Sequence, residues 1–140
     1  MVNESTLEVE TDVPISMTCA NATGIEKGSI LKLTDPFTAS ISSAASDIPA
    51  GIAAEEKIAN DGKTKIAVYR GGIFKVSLSG SCTSGDSLTT DAATNMVKSN
   101  VGAKFSGSKI IGIALETGAD GETILMELNP SFTGYAKEVA

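Results

Sequence analysis

The stretch Lys109-Ile110-Ile111-Gly112-Ile113-Ala114-Leu115-Glu116 is followed, after a short gap, by Asp120-Gly121-Glu122-Thr123-Ile124-Leu125-Met126-Glu127-Leu128. The first segment is a dense apolar run. The second places Ile124, Met126 and Leu128 at alternate positions, which is the period of a β-strand with one buried face. Residues 118–121 between them contain an Asp-Gly pair and a further glycine, which are typical of a turn. The stretch therefore predicts a β-hairpin.

Earlier in the chain the same pattern occurs again. Gly51-Ile52-Ala53-Ala54-Glu55 matches Gly112-Ile113-Ala114-Leu115-Glu116 at an offset of 61 residues. Asp61-Gly62-Lys63-Thr64 matches Asp120-Gly121-Glu122-Thr123 at 59, and Lys27-Gly28-Ser29-Ile30-Leu31 echoes Ser84-Gly85-Asp86-Ser87-Leu88 at 57. Each match is short, but their common order predicts two related units, at about residues 25–78 and 82–130. Two copies are too few for a solenoid, so we expect them to share one core.

The composition favours thin β-layers joined by many turns. The 140 residues include 14 glycines, and aromatic residues make up only 4% of the chain, with no tryptophan. We therefore expect a mainly β protein: a small pseudo-duplicated β-sandwich or barrel-like domain with at most one or two short helices. Residues 53–59 are rich in good helix formers, so a short helix and a non-helical connection both remain open there. Gly71-Gly72 is interpreted as a tight turn between strands at residues 65–70 and 73–78.

Charge and hydropathy exclude several classes of partner. The formal net charge of −6 argues against nucleic acid, because phosphate binding needs clustered Lys and Arg, and no such run is present. No apolar run of 18 residues and no secretory segment is visible, so we expect neither a membrane span nor a signal peptide. Cys19 and Cys82 are interpreted as free thiols rather than a bridge, because disulfide-stapled scaffolds normally carry more cysteines.

Apparent catalytic motifs lack the groups that their chemistry requires. Gly85-Asp86-Ser87-Leu88 spells a serine-esterase signature, but that nucleophile needs a base, and the chain has no histidine. The interpretation preferred for it is a turn entering a strand. Glu55-Glu56 is interpreted as a solvated surface, and the scattered carboxylates form no calcium-loop pattern. The sequence therefore predicts no enzyme, with no catalytic, cofactor-binding or metal-binding residues.

The N-terminal segment is polar, with an alternating pattern at residues 6–11. Leu7 and Val9 are its apolar positions, so such a strand is poorly held by its own domain. Two interpretations remain open: a frayed terminus, or an arm that adds a strand to a neighbouring subunit or partner sheet. The predicted organisation is an extended arm at residues 1–20, a β-rich domain at 21–130 and a tail at 131–140.

Several segments together resemble the capsid decoration, or cement, proteins of tailed phages. They are Pro49-Ala50-Gly51-Ile52-Ala53, Ile66-Ala67-Val68-Tyr69-Arg70-Gly71-Gly72-Ile73-Phe74, Ser84-Gly85-Asp86-Ser87-Leu88, Ile110-Ile111-Gly112-Ile113-Ala114-Leu115-Glu116 and Ile124-Leu125-Met126-Glu127-Leu128. The resemblance covers roughly residues 25–130. It departs at residues 1–20 and at the C-terminal tail.

This resemblance implies a virion structural protein on the outer surface of an icosahedral capsid, made in the host cytoplasm. Such a protein clamps neighbouring major capsid subunits together, commonly as a homotrimer. It further implies that an N-terminal arm contacts the major capsid protein, which assigns that role to Thr6, Leu7, Glu8, Val9, Glu10 and Thr11. The alternative is a carbohydrate- or receptor-binding β module of a virion or cell surface.

Overall fold

The computed structural model describes residues 3–44, 47–91, 95–99 and 110–130. Within these residues the regular secondary structure consists of β-strands, so the expectation of a mainly β protein is confirmed. The strands are β1 (Thr6–Val9), β2 (Ile15–Thr18), β3 (Ile30–Thr34), β4 (Thr38–Ile41), β5 (Pro49–Ala53), β6 (Lys65–Tyr69), β7 (Gly72–Leu78), β8 (Ser87–Asp91), β9 (Met96–Ser99), β10 (Gly112–Ala114) and β11 (Thr123–Leu128). The predicted tail at residues 131–140 lies outside the described residues.

Ten of these strands form two small barrels with the same topology. Strands β2-β4-β3-β5-β6 close the first barrel, barrel 1. Strands β7-β9-β8-β10-β11 form the second, barrel 2, which closes through the parallel pair β7–β9 just as barrel 1 closes through the parallel pair β2–β4. All other neighbours within both barrels are antiparallel. The predicted pseudo-duplication is therefore present as two barrels of identical strand order.

The register shows which residues of the two barrels are equivalent. Ile52 lies between Ile30 and Tyr69 in barrel 1, and Ile113 lies between Ser87 and Glu127 in barrel 2. Gly51 and Gly112, one position earlier, face the carbonyl oxygens of Tyr69 and Glu127 so closely that a Cβ would overlap each oxygen. Glycine is required there because any side chain would force the strands apart. The repeated Gly-Ile-Ala pattern thus records a close backbone approach.

Each barrel has an apolar interior, and one side of barrel 1 adds to the core of barrel 2. Met17, Leu31 and Val68 are among the residues that fill barrel 1. Ile30 and Ile52, which alternate with that interior, instead join the core cluster of Phe74, Leu88, Met126 and other residues of barrel 2. They are 1% and 0% exposed. At about 25 cal/mol per Å² of apolar area, side chains buried this completely hold the two barrels as one body.

The polar part of this contact centres on Asn95, at the start of β9. Its Oδ1 accepts a hydrogen bond from the Ile30 N–H (2.7 Å), and its Nδ2 donates to the carbonyl oxygens of Asn3 (2.7 Å) and Gly28 (3.2 Å). The residue is 6% exposed and has a φ of 60°, a conformation that asparagine tolerates better than most residues. One buried amide therefore joins barrel 2, barrel 1 and the N-terminal segment.

The structure decides an alternative left open at residues 53–59, corrects one predicted turn and confirms one predicted hairpin. Residues 53–59 are not helical: Ala53 ends β5, and Lys57 forms an isolated bridge with Ile25 through two backbone hydrogen bonds. Those tertiary bonds outweigh local helix propensity. Gly71-Gly72 does not connect a hairpin, because β6 pairs within barrel 1 and β7 within barrel 2. By contrast, the hairpin predicted across residues 118–121 is confirmed by the β10–β11 pairing.

The strand grouping also differs from the predicted units of residues 25–78 and 82–130. Barrel 1 begins with β2, inside the segment interpreted as an arm, and barrel 2 begins with β7, inside the first predicted unit. The repeated motifs lie in later strands and turns of each barrel. The first strand of each barrel carries no shared motif, so the repeated motifs do not mark where each barrel begins.

Replacing Asn95 with Asp tests the junction, because a carboxylate cannot donate to the carbonyl oxygens of Asn3 and Gly28. We expect the free energy of unfolding to fall by about 3 kcal/mol, the scale of buried polar groups left without partners. Chemical denaturation followed by circular dichroism measures the loss. The control is Asn60→Asp, because Asn60 also has a positive φ (61°) but is exposed. Equal stability losses in the two variants would contradict the junction role.

Candidate functional site

Strand β1 pairs with β7 of its own chain. The register joins Thr6 to Lys75, Leu7 to Phe74 and Val9 to Ile73, with a bulge between Leu7 and Val9. Leu7 packs against the core of barrel 2. The segment is therefore not a frayed terminus, and the addition of a partner strand to it stays a prediction. The physical reason is that the β7 edge is free at residues 73–75, since β9 occupies that edge only at residues 77–78.

The residue before β1 anchors this segment to barrel 1. The Ser5 N–H donates to the Gly28 carbonyl oxygen (3.0 Å), the same oxygen that accepts from Asn95. Gly28 has a φ of 90°, and a Cβ on it would meet the backbone of Ser5. Glycine is thus needed at position 28 for its conformation and for the close approach of the N-terminal segment.

The opposite edge of β1 pairs with no strand in the described part of the chain. Of the six predicted contact residues, Leu7 is half-buried, whereas Thr6, Glu8, Val9, Glu10 and Thr11 are exposed, Val9 by 50%. The structure therefore places Thr6 to Val9 in one short edge strand, and Glu10 and Thr11 follow directly after it. An edge strand of this kind offers main-chain donors and acceptors to an added strand. Contact with another protein at this edge stays a prediction.

An apolar groove lies on barrel 1, where β3 turns into β4. It is lined by Leu33, Thr34, Asp35, Phe37 and Ile48. Phe37 and Ile48 are 56% and 50% exposed, which is unusual for large apolar side chains that stand next to each other. The groove was not predicted from the sequence. Its one signal was Phe37 itself, an aromatic residue directly after the Asp35-Pro36 turn.

The Asp47 carboxylate holds the loop that presents Ile48. It accepts hydrogen bonds from the Ser42 hydroxyl (2.9 Å) and from the Ser43 (2.9 Å) and Ala44 (3.0 Å) N–H groups. Partial burial of the Asp47 carboxyl raises its pKa, but these hydrogen bonds to the charged form outweigh it and bring the pKa below the usual range. The Asp47 N–H donates to the Thr90 hydroxyl (3.0 Å), which links this loop to barrel 2.

The residues of the apparent esterase motif and the two cysteines occupy structural positions. Asp86 lies in a turn, where its carboxylate accepts from the Thr83 N–H (2.9 Å), and Ser87 begins β8. Cys19 and Cys82 are free and buried in separate cores, and desolvation raises the pKa of both thiols, which makes them poor nucleophiles. Among the described residues no three His, Cys, Asp or Glu side chains are placed to share a metal ion. No helix in the described ranges is long and apolar enough to cross a membrane.

One buried charge needs its own account. The Lys57 side chain is 1% exposed, and its ammonium group donates to the carbonyl oxygens of Asn21 (2.9 Å) and Ile58 (3.0 Å) and to the Asp61 carboxylate (3.0 Å). The Lys63 N–H, followed by Lys57, lowers the pKa of Asp61. Because all three ammonium hydrogens have acceptors, Lys57 ties two loops of barrel 1 together and offers no reactive amine.

Comparison with known protein families shows which family this chain belongs to. The phage cement protein family matches residues 9–128, which include both barrels. The chain belongs to the phage cement protein family. The match confirms the resemblance drawn from the Gly-Ile-Ala and Gly-Asp-x-Leu segments, and it makes the protein a capsid-associated structural component of a phage virion.

A solved structure shares the architecture of this cement protein. The head fiber gp8.5 N base of bacteriophage phi29 is similar with a TM-score of 0.54 at 17% identity, over 86% of this chain and 96% of that one. At that identity the likeness concerns the fold alone. No curated protein matches the chain.

The pH dependence of stability tests the role of Asp47 in the groove loop. A folded-state pKa below the unfolded value adds stability that is complete above the unfolded pKa of about 3.9 and is lost as the pH falls through the folded pKa. We therefore expect Asp47→Asn to be about 2 kcal/mol less stable than the parent at neutral pH. The gap should close at pH values below about 4.

Urea denaturation at several pH values measures the gap. Asp35→Asn is the matched control, because Asp35 is an exposed carboxylate of the same groove. A gap for Asp47→Asn that stayed constant down to the most acidic pH would show that its carboxylate does not stabilise the loop in its charged form.

Proposed function

We propose that this cement protein binds the outside of an icosahedral capsid as a homotrimer and clamps neighbouring major capsid subunits together. The observation that carries the proposal is membership of the cement family combined with the outer edge of β1, which pairs with no other strand that the structure describes. A clamp needs a rigid body, a repeated contact and a strand or loop that reaches a neighbour, and it needs no catalytic group.

The capsid contact is assigned to the outer edge of residues 6–11. A strand of the major capsid protein would extend the order β1-β7-β11 by one strand on the β1 side. In this arrangement β1 keeps its pairing with β7 and acts as a bridge, so the chain need not release its own strand to bind. Glu8 and Glu10 make the edge acidic, which favours a capsid strand that carries Lys or Arg.

Strong retention on the capsid comes from the repetition of the same contact in each subunit of the trimer. Each new main-chain hydrogen bond adds about 0.5–1.5 kcal/mol net, so one strand as short as β1 contributes only a few kcal/mol. In a trimer the second and third contacts form intramolecularly, which raises retention on the shell far above the affinity of one contact. The net charge of −6 is compatible with a face exposed to solvent outside the capsid.

The variant Val9→Asp tests the assigned contact. Val9 is half-exposed in the free protein, so a charge there is solvated until a capsid strand covers it, and desolvation then opposes binding. We expect at least a tenfold loss of affinity for undecorated heads, which is about 1.4 kcal/mol. Co-sedimentation of the protein with heads over a range of concentrations measures the affinity.

The control is Ile58→Asp, which places the same charge at a β-branched residue that is 65% exposed on a loop of barrel 1. It should bind heads like the parent, and both variants should keep the parental melting temperature within a few degrees. Unchanged binding by a folded Val9→Asp variant would remove residues 6–11 from the capsid contact.

A further inference from the structure

The contact between the barrels joins two different surfaces, and among the described residues a second copy of each surface is left uncovered. Within the chain, the side of barrel 1 that carries Ile30 and Ile52 packs on the end of barrel 2 that carries Thr90 and Asn95. We name the first of these surfaces the row face and the second the hairpin face. Since each barrel has the same strand order, each possesses a row face and a hairpin face, and the described residues join only one of each.

The row face of barrel 2 is found by register. Ser87 and Ile113 form a directly paired couple in barrel 2, as Ile30 and Ile52 do in barrel 1. Ile52 is 0% exposed under barrel 2, but Ile113 is 38% exposed, and Leu115 beyond it is 39% exposed. The row face of barrel 2 is therefore open and retains two large apolar side chains, although Ser87 replaces the second isoleucine.

The hairpin face of barrel 1 is the apolar groove. Leu33 pairs with Ala39 as Thr90 pairs with Val97, so Leu33 corresponds to Thr90. Phe37 directly precedes β4 and Asn95 directly precedes β9, and both have a positive φ, of 47° and 60°. Asn95 is 6% exposed in the contact between the barrels, whereas Phe37 is 56% exposed.

The two open faces therefore hold much of the unexplained apolar surface of the molecule. Phe37, Ile48, Ile113 and Leu115 lie on them, and these are four of the eight large hydrophobic side chains that are exposed in the described ranges. These exposed apolar side chains lie on the row face of barrel 2 and the hairpin face of barrel 1, which have no partner within the described residues. Such a distribution indicates that both faces are covered in the assembly. Polar residues at this contact within the chain, Thr90 and Asn95, correspond to apolar Leu33 and Phe37 at the open end.

We propose that the row face of barrel 2 docks onto the hairpin face of barrel 1 in a second copy of this chain. Phe37 and Ile48 of one copy pack against Ile113 and Leu115 of the next. The contact is head-to-tail, with two different surfaces, so it propagates from copy to copy until a ring closes. The inference deepens the proposed function, because it supplies the contact through which the copies of the proposed trimer meet.

Cysteine cross-linking of the full chain tests both the surfaces and the polarity of the contact. The two variants are Phe37→Cys and Ile113→Cys, and the probe is a short bis-maleimide. Native Cys19 and Cys82 are 2% and 5% exposed, so they contribute little background. We expect each single variant to stay uncross-linked when alone. A mixture of the two variants should give a cross-linked dimer on a denaturing gel, both free in solution and on decorated heads.

A matched control replaces Phe37→Cys by Ile58→Cys in the mixture. Ile58 is more exposed than Phe37 but lies on the β5–β6 loop and is not among the residues that define the two faces, so this mixture should give no cross-link. The variant Phe37→Asp gives a second measure, because it should lower the sedimentation coefficient to that of a monomer while the melting temperature stays near that of the parent.

The outcomes separate this inference from the proposed function. Cross-links in the mixture by a protein that does not bind heads would refute the capsid role and support the head-to-tail contact. Cross-links within a single variant would indicate a two-fold contact between like surfaces and would overturn the inference. Absence of cross-links both in solution and on decorated heads would also overturn it, because the two faces would then meet neither before nor after capsid binding.

Discussion

The contact between the two barrels is the constraint on which the rest of this structure depends. Ile30 and Ile52 are buried against the core of barrel 2, and the amide of Asn95, which belongs to barrel 2, satisfies backbone groups of barrel 1 and of the N-terminal segment. Buried polar groups without partners are costly. The hydrogen bonds of Asn95 therefore restrict the relative position of the two barrels more than an apolar contact alone would. The position of β1 follows from it, since Asn3 and Ser5 are held beside Gly28.

Equivalent positions of the two barrels carry different residue types, according to whether the other barrel buries them. Tyr69, beside the interface in barrel 1, stacks edge-on with Phe74 at 5.5 Å, whereas its counterpart Glu127 is exposed. Lys57 and Gly118 occupy matching bridges, with Ile25 and Cys82. The lysine braces a longer loop, while a side chain at position 118 would collide with Ile124. The shared barrel topology is thus compatible with different residues at positions where only the local packing differs.

Much of the fold was predictable because its signals are local. The Gly-Ile-Ala repeat marks a strand that passes close to a neighbouring carbonyl, and alternation around Ile124 marks a half-buried strand. The pairing of β1 with β7 was not predictable, since it depends on which stretch of β7 its neighbours leave free. The helix considered at residues 53–59 failed for a related reason, because the Lys57–Ile25 bridge is a long-range bond that composition does not reveal.

The surfaces were less predictable than the fold. Residues 6–11 were singled out from their polarity, and the structure adds that the first four of them form the edge strand of a sheet. The groove at Phe37 and the exposed pair Ile113 and Leu115 became visible only by comparing the burial of equivalent residues between barrels. A sequence pattern marks a residue as apolar, but only the packed chain tells which apolar residues are left without cover.

A cryo-EM reconstruction of heads decorated with this protein tests the account most directly. The account predicts density for the two barrels on the outer surface, with β1 beside a strand of the major capsid protein and the Phe37 groove of each copy covered by the next copy. Density that placed isolated single copies on the shell, with β1 facing solvent and the groove uncovered, would contradict it.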